Sequence, residues 1–503
     1  MTKQITDDTF TGEIKVASRI IDYLSSGLYK SPAACLKELI NNSYDADAKV
    51  VEVFVKPHAD LIIIEDDGIG ISKEEFVRHF ERVSESHKRD NSELTDSGRK
   101  KIGKIGIGFI AANELCEVME IYSTKKGSKE LLHVSINFSE MKKPIQVRRS
   151  KEGEIKKADY DGEILTESTN KHYTQIFLKS VKGDASDILA SIESEVPGSN
   201  LSIYGLEAEN VCELLKNKKN SIREWKEFDK YSETMLKVAL NVPVRYHDEW
   251  VPKNLINSEL KTLVGTVNDL DFKVYYDGSE LRKPTVLGAT DKKKFLDTVN
   301  YEGKNVSFKG YFYAQHTTIK PEDIQGLLIR IRNAAIGEYD SSFLEFPSSE
   351  YSIIQRWVSA EIWADDRLED AMNIDRSTLR DTHPAYVEFR AAVHKELRKV
   401  LSKAQKIIYN APERKRKRAI DSIEEINTII KEREKTIPTK TQNFIKKKWN
   451  KSEVDKSGFN KSLLKKYTVP QLYNIVFEVA NEVLNDDELD HFLRKLTERL
   501  SHD

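Results

Sequence analysis

The chain has 503 residues, enough for two or three domains with proper cores, and a hydrophobic content of 39% suffices to fill them. Charged residues make up 32% and nearly cancel to a net charge of −2, which excludes a global drive toward nucleic acid or anionic membrane and leaves only local basic patches. The three cysteines, Cys35, Cys116 and Cys212, are odd in number and far apart, so neither a disulfide framework nor a zinc site is expected. Residues 1–8 hold no apolar signal region and no run reaches membrane-spanning length, so a reducing cytoplasm is the default expectation, with no membrane partner.

Residues 13–24 and 33–46 read as helices. In the second, Glu38, Asn42 and Asp45 fall at i, i+4 and i+7 and share one face, which leaves Leu36, Leu39, Ile40 and Ala46 to turn toward a core. A carboxylate one turn from an amide suits a water-activating base beside a magnesium ligand. Residues 50–55 and 61–64 read as strands, the latter apolar and β-branched, ending in Glu65-Asp66-Asp67-Gly68-Ile69-Gly70-Ile71. A buried carboxylate there would accept from an exocyclic amine, while the glycines let backbone come close to a ligand.

A helix is expected over 73–83. Residues 84–101 are polar and basic, a composition that suits a mobile lid over a nucleotide and equally an ordinary surface loop; adjacency to the next box favours the lid. That box is Gly103-Lys104-Ile105-Gly106-Ile107-Gly108-Phe109, running directly into the small-residue helix 107–116. Its N–H groups can hold phosphate oxygens. A P-loop match over residues 98–105 fails, because Ile105 stands where a hydroxyl should hold magnesium and no buried strand precedes it.

In this order the three boxes resemble the Bergerat-fold nucleotide site of the GHKL ATPases, the family of gyrase, the heat-shock chaperones, the histidine kinases and MutL. The resemblance implies ATP and Mg2+ as ligands, with Glu38 as general base, Asn42 as the magnesium ligand, and Asp45 and Ala46 completing the helix box. Asp66 would take the adenine amine in a turn built with Gly68, Gly70 and Ile71. Gly103, Lys104, Gly106, Ile107, Gly108 and Phe109 would form the phosphate loop at the end of an ATP lid; Lys104 stays open between phosphate ligand and solvated lysine.

Beyond the loop, strands are expected near 117–123, 131–137 and 145–149. Residues 173–178 alternate as a strand resembling the family's last nucleotide-domain strand, where Thr174 would bind adenine through water; Tyr173 replaces the glycine usual before it. Residues 183–232 read as helical. Strands follow near 236–246, 262–276, 306–314 and 326–332, then a helix over 384–408. Residues 373–379, Asn-Ile-Asp-Arg-Ser-Thr-Leu, resemble the catalytic loop of the heat-shock chaperones' middle domain, and Arg376 takes the place of an arginine that reaches across to the terminal phosphate.

The implied architecture is α/β: a Bergerat-fold α/β sandwich over residues 1–185, a helical connection over 186–232, an αβ transducer-like middle domain over 233–408, and a helical C-terminal region over 409–503. The basic clusters at 413–418 and 444–449 are candidates for nucleic acid, against solvated helix faces or an acidic partner. The implied activity is an ATP-hydrolysing switch that forms a homodimer on ATP, of chaperone-like or DNA-clamping type, akin to the heat-shock chaperones, MutL or Microrchidia proteins, with a protein partner the sequence does not name. A signalling kinase is not expected, since no histidine precedes helix 13–24. The alternative is an ATP-sensing component of a multi-protein defence system with little turnover, against which the intact Glu38 argues.

Overall fold

The computed structural model describes residues 31–81, 94–103, 111–142, 160–199, 201–218, 222–288, 293–347, 351–373 and 376–406, with five single positions beyond. The chain divides into two compact units, Met1–Ala404 and Gln405–Asp503. The first unit carries everything below. The helix expected at 13–24, the strand expected at 145–149 and both basic clusters lie outside the described residues.

Helix α1 (Pro32–Asp45) starts where sequence chemistry says it should: the Ser31 hydroxyl accepts from the Ala34 N–H at 3.3 Å, and Pro32 occupies the first turn. Its apolar stripe, with Leu36, Leu39 and Ile40 at 1% exposure or less, packs on a sheet whose strands β1 (Val50–Lys56) and β2 (Leu61–Asp66) alternate buried and less buried positions. In β2 this alternation sends Ile62, Ile64 and Asp66 to one face. A carboxylate is thereby carried into the core by the same period that buries two isoleucines.

Helix α2 (Lys73–Glu81) follows, then β3 (Cys116–Thr124), β4 (Glu130–Asn137), β5 (Tyr160–Thr166) and β6 (Tyr173–Val181). Helices α3 (Gly183–Ala190), α4 (Ala208–Lys218), α5 (Lys230–Asn241) and α6 (Ser258–Asn268) lead to β7 (Lys273–Tyr276) and β8 (Ser279–Glu280). The eight strands form one sheet in the order β5-β4-β3-β6-β2-β1-β7-β8, antiparallel throughout except where β7 runs parallel to β1. Strands β7 and β8 join this sheet although they lie well beyond residue 185.

Two segments expected as strands, 236–246 and 262–276, begin instead in the helices α5 and α6, and only the end of the second, Lys273–Tyr276, is the strand β7. Their β-branched residues suggested strands, but helical spacing and caps prevail. Asp229 accepts from the Ser232 N–H at 2.7 Å at the start of α5, and Asn257 accepts from Leu260 at 2.7 Å at the start of α6. In α6 the buried Leu260, Leu263, Val264 and Val267 fall at i, i+3, i+4 and i+7.

A second sheet comprises β9 (Lys294–Glu302), β10 (Ser307–Gln315), β11 (Gly326–Ile331), β12 (Ala334–Asp340) and β13 (Val358–Ala364), in the order β12-β11-β13-β10-β9, with helix α7 (Pro384–Ala404) packed on β9 and β10. In its core the fully buried Glu361 accepts from Arg330 at 2.6 Å and from the hydroxyls of Tyr246, Tyr311 and Tyr339 at 2.7, 3.0 and 2.8 Å. Burial pushes this carboxyl up, but Arg330 and the Tyr246 hydroxyl more than offset it and hold Glu361 below the usual carboxylate range. Arg330 and Lys283 also donate to the Leu240 carbonyl at 3.2 Å, and Lys283 to that of Val242 at 2.6 Å, which fastens the end of α5 to the second sheet. Since α5 packs on α1, the helix bearing Glu38 is tied to both sheets.

The three cysteines are free and buried. Among the described residues, no helix is long and apolar enough to cross a membrane.

Candidate nucleotide site

Glu38 and Asn42 stand one turn apart on α1. Asn42 is exposed, while the Glu38 side chain keeps 13% exposure and pairs with the equally sheltered Lys37 at 3.4 Å. At the end of β2, Asp66 is 5% exposed. Its Oδ2 accepts from the Ser43 hydroxyl of α1 at 2.8 Å, and its Oδ1 from the Gly68 N–H at 2.9 Å. Burial pushes its pKa up to about 6, only partly countered by these two hydrogen bonds. In the antiparallel register of β2 with β6, Asp66 faces Thr174 directly. Thr174 is buried, and its hydroxyl lies 2.9 Å from that of Ser123 on β3. The helix that carries the acid–amide pair is therefore joined through Ser43 to the strand end that carries the buried carboxylate.

The turn after β2 is shaped by protein contacts. A Cβ on Gly68 would sit 2.7 Å from the Ala46 carbonyl oxygen, and one on Gly70 would sit 2.2 Å from that of Thr124. Gly70 also has φ +74°, a left-handed conformation costly for other residues. These glycines thus admit helix α1 and strand β3 to the turn, where sequence reasoning reserved the space for a ligand. The Ala46 carbonyl accepts from the Ile69 N–H at 2.8 Å, and Ile71 N–H donates to Ser123 at 2.8 Å. Asp67 accepts from Lys49 and Val50 at 2.7 and 2.9 Å, so it closes the connection from α1 to β1.

Asp45 points to the third box. Its two carboxylate oxygens accept from the N–H groups of Ile102 and Gly103 at 2.6 and 2.8 Å. Lys104, Gly106, Ile107, Gly108 and Phe109 lie outside the described residues, as do positions 84–93 of the expected lid. From the second sheet's side, Arg376 donates to the Ile102 carbonyl at 2.6 Å, so the chain brings this arginine to the beginning of the glycine loop. Its own loop is closed by the Asn373 N–H on the Thr378 carbonyl at 3.0 Å and by a bridge between Met372 and Leu379.

Sequence reasoning missed Ser43, Ser123, His172, whose Nδ1 lies 2.9 Å from the Gly68 carbonyl, and Arg332. Ser43 carried a usable signal, being adjacent to Asn42 on a helix already assigned to the site. The others are brought in by strand pairing or by the second sheet, and no local pattern marks them.

The donor set fits an adenine nucleotide with magnesium. A buried acceptor beside a hydroxyl suits an amino-purine edge, and hard oxygen donors on α1 suit a hard cation. Among the described residues no group of three His, Cys, Asp or Glu side chains could hold a metal ion.

An α/β layer with an acid–amide helix over a sheet whose strand end buries an aspartate is the architecture of a Bergerat-type nucleotide domain. Residues 29–171 match the family of histidine kinase-, DNA gyrase B-, and HSP90-like ATPases, and over that segment the chain resembles the HSP90 branch of the GHKL family. The chaperone protein HtpG of Bacillus subtilis (strain 168) is 31% identical over 141 residues, which are 24% of this chain and 22% of that protein. HtpG of Bacillus licheniformis is 29% identical over 140 residues, with the same shares. A protein assigned provisionally as the type II restriction enzyme HgiDII of Herpetosiphon aurantiacus is 36% identical over 115 residues, 23% of this chain and 18% of that protein. The chain thus spans about a fifth of the length of the curated relatives it matches.

Proposed function

We propose that the protein is an ATP-binding, magnesium-dependent ATPase that works as a conformational switch. The observation that carries this reading is the Ser43–Asp66 hydrogen bond at 2.8 Å, which joins the helix box and the strand box into one site. Asp66 and Thr174 select adenine, while Asp45 and Ala46 shape the helix end and the turn of Gly68, Gly70 and Ile71. Gly103, Lys104, Gly106, Ile107, Gly108 and Phe109 form the phosphate loop. Glu38 draws a proton from the attacking water, and its pairing with Lys37 holds the carboxylate in place. Asn42 holds magnesium, which when bound neutralises phosphate charge. Arg376, from the second sheet, stabilises charge developing on the transferred group.

The output is of the chaperone-like type, with nucleotide domains pairing on ATP, a reading that the HtpG similarity over about 140 residues supports, and the part of residues 233–408 that follows β8 acts as the transducer. The match to HgiDII favours a second output, service as the nucleotide-sensing component of a defence system, with an unidentified protein or nucleic-acid partner. Turnover by purified protein distinguishes the two. The test of the site itself is Glu38→Ala, which should keep ATP binding by calorimetry while hydrolysis falls roughly a hundred- to ten-thousandfold. Hydrolysis at the wild-type rate would remove Glu38 from the chemistry.

A further inference from the structure

Residues 97–103, which lead into the glycine loop, are gripped from both sheets of the first unit. On the nucleotide side, Asp47 accepts from the Ser97 N–H and hydroxyl at 2.9 and 2.5 Å. Arg99 lies over the rings of Tyr44 and Phe272, at 5.3 and 5.7 Å, and donates to the carbonyls of Ala48 (2.6 Å) and Asp271. Asp45 takes the N–H groups of Ile102 and Gly103. On the other side, Lys100 pairs with Asp366 at 2.8 Å, Arg332 donates to the Lys101 carbonyl, and Arg376 donates to the Ile102 carbonyl at 2.6 Å. The Ile102 carbonyl and the Gly103 N–H belong to one peptide group. Its two ends are therefore held from opposite sides, by Arg376 and by Asp45.

The two guanidiniums are built differently. Arg332 sits in the turn between β11 and β12 with φ +52°, its side chain 2% exposed, and pairs with Asp366 at 2.9 Å and Glu369 at 3.1 Å. Burial pushes the Asp366 carboxyl up, but Lys100 and Arg332 outweigh it and hold the group below its ordinary range, so Arg332 faces a carboxylate. Arg376 lies in the loop that the Met372–Leu379 bridge and the Asn373–Thr378 side-chain hydrogen bond at 2.6 Å close, with φ +52°, and its guanidinium donates to the Ile102 carbonyl at 2.6 Å. Beside the segment lies a cavity of about 500 Å3, lined by Tyr44, Arg99, Lys100, Phe308 and Trp363 among others. Ile102 is 1% exposed in the core, so packing at that side chain and the hydrogen bonds around it together fix where the segment runs.

We infer that residues 100–103 form a strap by which the second sheet sets the geometry of the phosphate loop, with Arg332 and Asp45 as its positioning residues. The inference rests on the ATPase reading only in assigning phosphate to the glycine loop; the physical grip on residues 100–103 stands apart from it. The test uses the full chain and two variants. Arg332→Met removes the grip, and Arg332→Lys keeps a cation beside Asp366 and Glu369, securing the fold, while losing the fork that reaches the Lys101 carbonyl.

Hydrogen exchange at the Ile102 and Gly103 amides should quicken at least tenfold in both variants and in Asp45→Asn, while amides of α1 keep wild-type protection. With ATP, kcat should fall about tenfold or more and KM change little, because Asp66, Thr174 and Asn42 are untouched. Wild-type exchange at these amides in Arg332→Lys would overturn the strap, whatever the turnover. Faster exchange with wild-type kcat would overturn its link to the phosphate loop. Absence of turnover in the wild-type chain would count against the ATPase reading, and the exchange result would still decide the strap.

Discussion

Asp66→Asn separates binding from folding. In the native chain both carboxylate oxygens are engaged, Oδ1 by the Gly68 N–H at 2.9 Å and Oδ2 by Ser43 at 2.8 Å. The amide can keep its oxygen on Gly68 and turn its NH2 toward Ser43, whose hydroxyl already lies 3.5 Å from the Leu39 carbonyl and can donate there instead. The fold therefore survives, and removing a buried charge from a 5% exposed site near neutral pH should leave Tm equal or higher. The adenine amine then meets a donor where it had an acceptor. Losing a charge-assisted hydrogen bond costs about 1.5–3 kcal/mol, and leaving a buried donor unsatisfied costs about 1–3 more. Together these amount to roughly 2.5–6 kcal/mol, on the order of a hundred- to ten-thousandfold in Kd. Calorimetry with a non-hydrolysable ATP analogue, beside a thermal melt, measures both quantities. Unchanged affinity in a normally folded variant would refute the adenine assignment.

The raised pKa of Asp66 makes a pH prediction. Protonation removes the negative charge and turns one acceptor oxygen into a donor, so ATP affinity should fall as pH drops through about 6, by up to about tenfold per pH unit below it, and Asp66→Asn should lack this component; parallel profiles in the two proteins would refute it. Stability carries the opposite sign: the folded chain binds this proton more tightly than the unfolded chain, so the contribution of Asp66 declines as pH rises from about 4 to about 6 and is level above. Gly70→Ala should lower Tm by several degrees, since the left-handed backbone alone costs on the order of 1–3 kcal/mol and the new Cβ meets the Thr124 carbonyl. An unaltered Tm would mean that β3 yields freely.

The local parts of the nucleotide domain were legible in the sequence because each rests on a short-range rule. Helix α1 follows from its apolar spacing and its Ser-Pro start, and strand β2 from an isoleucine run whose period of two also buries Asp66. The shared face of Glu38, Asn42 and Asp45 is likewise a matter of helical repeat. Strand readings failed over 236–241 and 262–268, where composition was β-branched but caps and i, i+4 burial governed, while the end of the second segment is strand β7. Only the tertiary structure decided what these parts meet. Strands β7 and β8 complete the first sheet from more than two hundred residues away, because a parallel partner needs a long crossover and no local pattern names it. Asp45 faces the glycine loop's backbone, Gly68 and Gly70 admit neighbouring carbonyls, and Arg332 and Arg376 reach residues 101 and 102 from another sheet. A motif fixes which groups a chain can offer, whereas the direction in which a buried carboxylate or guanidinium spends its hydrogen bonds is settled by whichever backbone the folded chain lays beside it.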